Sequence, residues 1–511
     1  MSRYESQLSK RICSDTQMAG SSLPKTLSFA AVILNSMSKS SVTLRRRWAI
    51  HLQSSRLTRW KEGLTKHSCL EEQTGKSILQ IYRVLMPGLL ILRLRPKSRF
   101  FGLVCLRSHT TVPVPQVLAW NSDPSNPVGA EYIMMERAPG IQLFQKWDDL
   151  DGDNRLSLIK QLTEPEHQLA SIPFPASGHL YFMESILEKK HILLDSSVDS
   201  TSQYGIGPLC HRSWDIDQSR LNPNLSRNLD PGPWKSVAAY GRALVEREIF
   251  RLRTQLSTRP DRLHYANIED DIALLQKTAD LIDRLESYLS LEQNSQPTLW
   301  HIDLHMGNIF VSETEPSKIV SLIDWQSISV SPLFLQVRWP VFLEPPDDYV
   351  KGFPRTDSNK LREPKRTRPA HTLKTRDAYN AINVPRAFRE LFIRCGEVFE
   401  EGVEPLRACL IEVSQSWEAL KLPGTCPFSF TPNEISAHDI SFGEYEELHR
   451  VRKFALEYLD TDSEGWIAPS MDFDEKRAQN KALFEYYLDN SAVGKSREEL
   501  LRIRPFSESS D

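Results

Sequence analysis

The sequence predicts an α+β protein in which a small, strand-rich N-terminal region precedes a large and mostly helical remainder. Apolar and β-branched residues at Val117–Trp120 and Glu131–Met135 flank a turn-rich segment, and this arrangement predicts a β-hairpin. From Asp151 onward, apolar residues recur at three- and four-residue spacing, for example in 236–256 and 272–291. This period is typical of amphipathic helices that pack on a core.

The composition is that of an ordinary globular protein. Of 511 residues, 40% are hydrophobic and 25% are charged, and the net charge is −3. The charge balance argues against a nucleic-acid partner, which usually requires a concentrated basic face. Seven scattered cysteines without a C-x-x-C pair argue against a disulfide framework and favour a reducing compartment. The longest apolar run, 84–92, is interrupted by Pro87-Gly88, so no membrane span is predicted.

Residues 1–60 form a basic, serine-rich leader in this interpretation. They contain ten Lys or Arg, thirteen Ser and only two acidic residues. Such a composition is typical of a mitochondrial transit segment, and a disordered basic tail is the alternative. We therefore expect a mitochondrial location, with the cytoplasm as the other possibility.

The chemistry-bearing segment is Trp-His-Ile-Asp-Leu-His-Met-Gly-Asn-Ile-Phe-Val at 300–311, followed by Leu-Ile-Asp-Trp at 322–325. Asp303 precedes Asn308 by five residues, and Asp324 follows sixteen residues later at the end of an apolar run. Phosphoryl transfer uses this combination, because one carboxylate accepts the hydroxyl proton while an amide and a second carboxylate hold Mg²⁺. Two short strands, 309–311 and 318–323, are expected to bring Asn308 and Asp324 together.

Two histidines in this segment allow other interpretations. His301 is expected to orient the loop, and His305 either contacts substrate or phosphate or is simply exposed. Together with Asp303 they also resemble a zinc cluster, but no Cys or H-E-x-x-H helix supplies a further ligand. The zinc alternative is therefore disfavoured.

The segment His-x-Asp-Leu-His-x-Gly-Asn-Ile-Phe-Val with Ile-Asp-Trp-Gln is similar to the aminoglycoside phosphotransferase superfamily, whose fold is protein-kinase-like and bilobal. It resembles more narrowly the fungal altered-inheritance-of-mitochondria protein 9 branch, over about four fifths of the chain. The narrower similarity lies in 112–120, 128–136, 174–182, 232–236, 327–334 and 342–347.

The resemblance implies roles for particular residues and implies ATP and Mg²⁺ as cofactors. Asp303 would be the catalytic base, and Asn308 and Asp324 would be the metal ligands. The inter-lobe hinge, whose backbone faces the adenine, would consist of Met135, Glu136 and Arg137. The N-lobe would be 61–137 and the C-lobe 138–505.

The N-lobe departs from the pattern of the superfamily. Its glycines form no nucleotide loop, and no strand carries an obvious phosphate-binding lysine. Arg93, in the apolar run 89–94, is the candidate for that position. The predicted N-lobe is therefore atypical or incomplete.

Three functions remain open on the sequence alone. The first is an ATP-dependent phosphotransferase acting on a hydroxyl of a small molecule. The second is a catalytically impaired pseudokinase that serves as a mitochondrial binding or scaffold protein, and the third is a protein kinase. The absence of H-R-D and of an A-P-E-type segment argues against the third. The acceptor and the oligomeric state are not indicated.

Overall fold

The computed structural model of the protein describes fourteen stretches of the chain. They are residues 55–62, 65–72, 77–84, 106–107, 109–121, 132–210, 214, 229–255, 268–286, 288–325, 328–338, 340–343, 376–461 and 472–491. Arg93 and most of the predicted leader lie outside these residues.

A five-stranded antiparallel sheet forms the N-terminal lobe, with strand order β1-β2-β3-β5-β4. The strands are β1 (Ser55–Glu62), β2 (Thr65–Glu72), β3 (Ser77–Val84), β4 (Val117–Asn121) and β5 (Tyr132–Glu136). The expected strand pair 117–120 and 131–135 is present as β4 and β5. The predicted leader boundary at residue 60 falls inside β1, so a strand begins earlier than expected. Lys and Glu in β1 and β2 hide the strand signal, because both residues are depleted in strands.

The chain leaves this lobe through a short segment that pairs with the central hairpin, which is formed by residues 309–322. After β5 it turns at Gly140 and enters β6 (Ile141–Gln142). Strand β6 pairs with β11 (Ile309–Val311), which pairs with β12 (Ile319–Leu322), in the order β12-β11-β6. The crossing between the lobes therefore leads directly to the strands beside the candidate catalytic loop.

Two further small sheets flank this hairpin. Strands β7 (His179–Phe182), β8 (Ile192–Leu193) and β9 (Tyr204–Gly207) pair in the order β7-β9-β8. Strand β10 (Pro297–Leu299) pairs with β13 (Val330–Pro332). Strand β9 is not among the strands that the sequence analysis predicts. The short Tyr-Gly-Ile-Gly strand has too little periodicity to be recognised.

Helices make up most of the remainder. They are α1 (Gly152–Ala170), α2 (Val237–Gln255), α3 (Ile268–Leu285), α4 (Leu289–Glu292), α5 (Leu333–Gln336), α6 (Arg376–Ile382), α7 (Arg386–Cys395), α8 (Val398–Glu401), α9 (Glu404–Gln415), α10 (Pro432–Leu459) and α11 (Phe473–Ser491). Short 3₁₀ turns lie at Leu143–Gln145, Trp147–Asp149, Met183–Ser185 and Val341–Leu343. None of the helices described is long and apolar enough to cross a membrane.

Two apolar clusters hold these elements together. One joins β4, β5, α1 and the small sheets, with Leu158, Ile309 and Trp325 among its buried members. The other joins α2 and α3 to the helices from α5 to α9, around Phe334 and Phe392. The first cluster contains residues of both β11 and β12, so its packing supports the two strands next to the candidate catalytic loop.

A buried ionic network ties α2 to the C-terminal helices. Glu248 is fully buried, and its Oε1 accepts from Arg247 Nε at 2.9 Å and from Arg251 at 3.3 Å. Its Oε2 accepts the backbone N–H of Phe399 at 2.6 Å. Each oxygen has a partner, which a buried carboxylate requires because an uncompensated buried charge is strongly destabilising.

Gly140 is the residue that permits the crossing between lobes. Its φ is +82°, and a Cβ built there would lie 2.2 Å from the carbonyl oxygen of Val311. We expect Gly140→Ala to lower the free energy of unfolding by about 2–4 kcal/mol, through left-handed strain and this clash. Gly152→Ala is the matched control, because a Cβ built at Gly152 would have no other atom within 4 Å. Urea unfolding of both variants tests this; equal effects would contradict it.

Candidate active site

The candidate catalytic loop, 301–308, is a tight turn closed by its own backbone. The carbonyl oxygen of Asp303 accepts the N–H of His305 at 3.1 Å and the side-chain Nδ2 of Asn308 at 2.9 Å. Asn308 also donates its backbone N–H to His305 at 3.0 Å. Asn308 is 4% exposed, whereas the side chain of Asp303 is exposed to solvent. The loop therefore fixes the amide internally and presents the carboxylate outward.

His301 is a structural link between this loop and the strand that carries Asp324. Its Nε2–H donates to the carbonyl oxygen of Ile323 at 2.8 Å, and its Nδ1 accepts the N–H of Asp303 at 3.3 Å. Its ring also packs edge-on against Trp325. Burial lowers the pKa of His301 below its usual 6.5. The neutral imidazole is the form that both hydrogen bonds require, so neither nitrogen is available as a metal ligand.

Asp324 follows directly after the residue that is hydrogen-bonded to Asn308. Ile309 is opposite Leu322 in the hairpin, and Ile323 N–H donates to the carbonyl oxygen of Asn308 at 3.0 Å. Opposite residues lie about 5 Å apart and successive Cα atoms about 3.8 Å apart, so the Cα atoms of Asn308 and Asp324 are within about 9 Å. The structure thus brings together the two predicted metal ligands.

The backbone at Asp324 is strained. Its φ is +66°, in the left-handed region that residues other than glycine rarely adopt. Such outliers concentrate at functional sites, where the surrounding structure holds them in place. Here Trp325 supplies the anchor, since its buried indole N–H donates to the carbonyl oxygen of Leu322 at 3.0 Å.

The predicted hinge residues lie at the end of β5. Met135 is buried, whereas Glu136 and Arg137 are exposed. The backbone N–H of Glu136 donates to Gln116 at 2.8 Å. Strand β6 follows shortly after this segment and pairs with β11, which leaves the catalytic loop. The predicted phosphate ligand Arg93 lies outside the described residues.

Gln142 is a site residue that the sequence interpretation missed. Its Nε2 donates to the carbonyl oxygen of Gly307 at 2.9 Å and thereby joins β6 to the catalytic loop. The two residues are 165 positions apart, and an isolated glutamine carries no local signal of such a contact.

The donor set around Asn308 and Asp324 is one that Mg²⁺ accepts, since this ion takes amide and carboxylate oxygens and usually only one or two protein carboxylates. The amide nitrogen of Asn308 donates to the carbonyl oxygen of Asp303, so the amide oxygen is the atom that would coordinate the metal ion. Across the described part of the chain, no group of three or more His, Cys, Asp or Glu could hold a metal.

Part of the chain is similar to proteins that are already known. Residues 93–335 match the model of the phosphotransferase enzyme family. The chain is 25% identical over 414 residues to a subtelomeric hrmA-associated cluster protein of Aspergillus fumigatus, covering 71% of this chain and 80% of that protein. It is 24% identical over 410 residues to altered inheritance of mitochondria protein 9 of Zygosaccharomyces rouxii, covering 70% of this chain and 64% of that protein. This chain thus spans less than two thirds of the latter relative.

Solved aminoglycoside phosphotransferases are more distant. The ADP-bound APH(2'')-Ib structure is 12% identical, with a TM-score of 0.38, and covers 72% of this chain and 96% of that one. The helices and small antiparallel sheets of the described residues form an α+β fold, as predicted. The family match over residues 93–335 and the relatives confirm the predicted resemblance to the aminoglycoside phosphotransferase superfamily and to its altered-inheritance-of-mitochondria protein 9 branch.

The lowered pKa of His301 predicts how stability depends on pH. Below about pH 6.5 the unfolded chain binds a proton that the folded protein excludes, so stability falls as the pH falls. The slope contributed by this group is at most about 1.4 kcal/mol per pH unit. His301→Gln removes the slope, so the stability gap between wild type and variant narrows from pH 7.5 to 5.5. The free energy of unfolding is measured by urea unfolding at each pH, and the same pH dependence in wild type and variant would contradict this prediction. The difference between the two proteins at pH 8 gives the packing cost of the substitution.

Proposed function

We propose that the protein is an ATP-dependent phosphotransferase that transfers the terminal phosphoryl group to a hydroxyl of a small molecule. The observation that carries the proposal is the hydrogen-bonded unit of Asp303, Asn308 and Ile323, which holds the loop beside Asp324. A carboxylate, an amide and a second carboxylate are the groups that phosphoryl transfer needs.

In this proposal Asp303 accepts the proton of the attacking hydroxyl. Its exposed carboxylate can reach an incoming acceptor, while its backbone is held by bonds to Asn308, His305 and His301. Most of the acceleration would come from positioning the acceptor and from neutralising charge on the phosphates. A rigid backbone under Asp303 serves the first purpose.

Asn308 and Asp324 are the residues that would hold Mg²⁺. When bound, the ion would supply positive charge that neutralises the negative charge developing on the phosphates during transfer. The buried position of Asn308 and the anchoring of the chain at Trp325 support the proposal, because ligands on fixed backbones need no rearrangement when nucleotide arrives.

The nucleotide would bind between the lobes. Backbone groups of Met135, Glu136 and Arg137 would face the adenine, at the end of the N-terminal sheet. Arg93 remains a proposed phosphate ligand.

A mitochondrial location is part of the proposal. Its support is the basic, acid-poor composition of residues 1–60 together with relatives that are named mitochondrial. The acceptor would be a small molecule.

A thermal-shift experiment with MgATP tests nucleotide binding. Wild type should be stabilised, by about 2.7 kcal/mol at a ligand concentration of 100 Kd, because only the folded state binds. Asp324→Ala should lose most of this shift. Asp303→Asn should keep it and lose about 10²–10⁴-fold in phosphotransfer, since it removes the base and leaves the metal ligands.

The controls separate the enzyme from the scaffold alternative. MgATP can be replaced by ATP with EDTA, which should abolish the part of the shift that depends on Asn308 and Asp324. An equal shift in wild type and Asp324→Ala, or none in wild type, would contradict the proposal and favour a pseudokinase scaffold.

A further inference from the structure

Two ionisable side chains of the catalytic loop are exposed, and the proposed function uses only one of them. Asp303 and His305 face solvent, whereas His301 and Asn308 are buried. The two exposed residues are joined through the backbone, since His305 N–H donates to the carbonyl oxygen of Asp303 at 3.1 Å. His305 is thus held beside the proposed base and has no assigned role.

The position of the His305 ring is set by the loop itself. Its Nδ1 accepts the backbone N–H of Gly307 at 3.0 Å. A neutral imidazole that accepts at Nδ1 carries its proton on Nε2. His305 therefore offers an Nε2–H donor, and its tautomer is specified by a backbone hydrogen bond.

Glycine at 307 is required for this arrangement. A Cβ at Gly307 would lie 2.8 Å from Cε1 and 2.9 Å from Nδ1 of His305. Any side chain there would displace the ring. The Gly307 carbonyl in turn accepts from Gln142, so both the N–H and the C=O of Gly307 are hydrogen-bonded.

We propose that His305 is a further catalytic residue, whose Nε2–H donates a hydrogen bond to a non-bridging oxygen of the phosphoryl group during transfer. This inference rests on the proposed function. The acceptor O–H bond breaks and its proton passes to Asp303, the new O–P bond forms, and the electron pair of the broken P–O bond leaves with ADP. His305 keeps its proton and stabilises negative charge that is spread over the phosphoryl oxygens.

The test measures binding of MgADP alone and of MgADP with aluminium fluoride, which imitates the transferred group and needs no acceptor. His305→Ala should bind MgADP with affinity unchanged within about twofold. It should bind the aluminium fluoride complex about 10- to 100-fold more weakly, the usual effect of one hydrogen bond to a charged group. His305→Gln, which retains an N–H donor, should recover part of the loss.

Gly307→Ala provides an independent route to the same loss. Because its Cβ meets the imidazole ring, this variant should weaken the aluminium fluoride complex about as much as His305→Ala does. The double variant should be no weaker than either single one, since both remove one interaction. His191→Ala is the matched control, because its ring also hydrogen-bonds to a backbone group, at Lys189, outside the loop.

Imidazole ¹⁵N NMR of the nucleotide-free protein supplies a readout that does not depend on activity. Wild type should show His305 with Nδ1 unprotonated and Nε2 protonated, and Gly307→Ala should lose this tautomer preference. If wild type binds both complexes and His305→Ala matches it, the role of His305 is wrong while the proposed function stands. If wild type binds no MgADP, both the proposed function and the role of His305 are wrong.

Discussion

The arrangement of the candidate site depends on one backbone hydrogen bond, from Ile323 N–H to the carbonyl oxygen of Asn308. It extends the pairing of β11 and β12 by one step beyond the strands, to the point where both chains leave the sheet. The segments that carry Asn308 and Asp324 lie side by side there. Because residues of both hairpin strands are buried in one apolar cluster, the packing of that cluster holds the two segments together.

Local spacing predicted this part of the molecule well, because its elements are close in sequence. A five-residue turn and a short hairpin leave few geometries for Asp303, Asn308 and Asp324, and β11 spans the predicted residues 309–311. The helices were also predictable from periodicity, although the start of α10 at Pro432 was not predicted. A signal for that start was present, since Thr431 and Glu434 form a capping box at its N-terminus.

The remainder could not be predicted because it depends on contacts between distant residues or on strands with weak patterns. Gln142 acquires its role only when β6 reaches β11, and the presence of an Asp at 324 does not by itself predict the left-handed backbone found there. Strands β1 and β2 form through pairing with each other and with β3, in spite of charged residues that disfavour strands locally.

The two histidines of the loop show how different backbone hydrogen bonds give different roles to residues of the same type. His301 uses both nitrogens inside the fold, so it remains neutral, buried and unavailable for chemistry. His305 uses one nitrogen, on Gly307, and its second nitrogen faces outward. Both residues have identical intrinsic chemistry and lie four positions apart. Their difference comes from which backbone N–H and C=O groups the turn directs at each ring, and those directions follow from the hydrogen bonds that Asp303 and Asn308 make. The network that positions the proposed metal ligands therefore also determines which histidine is available to a substrate.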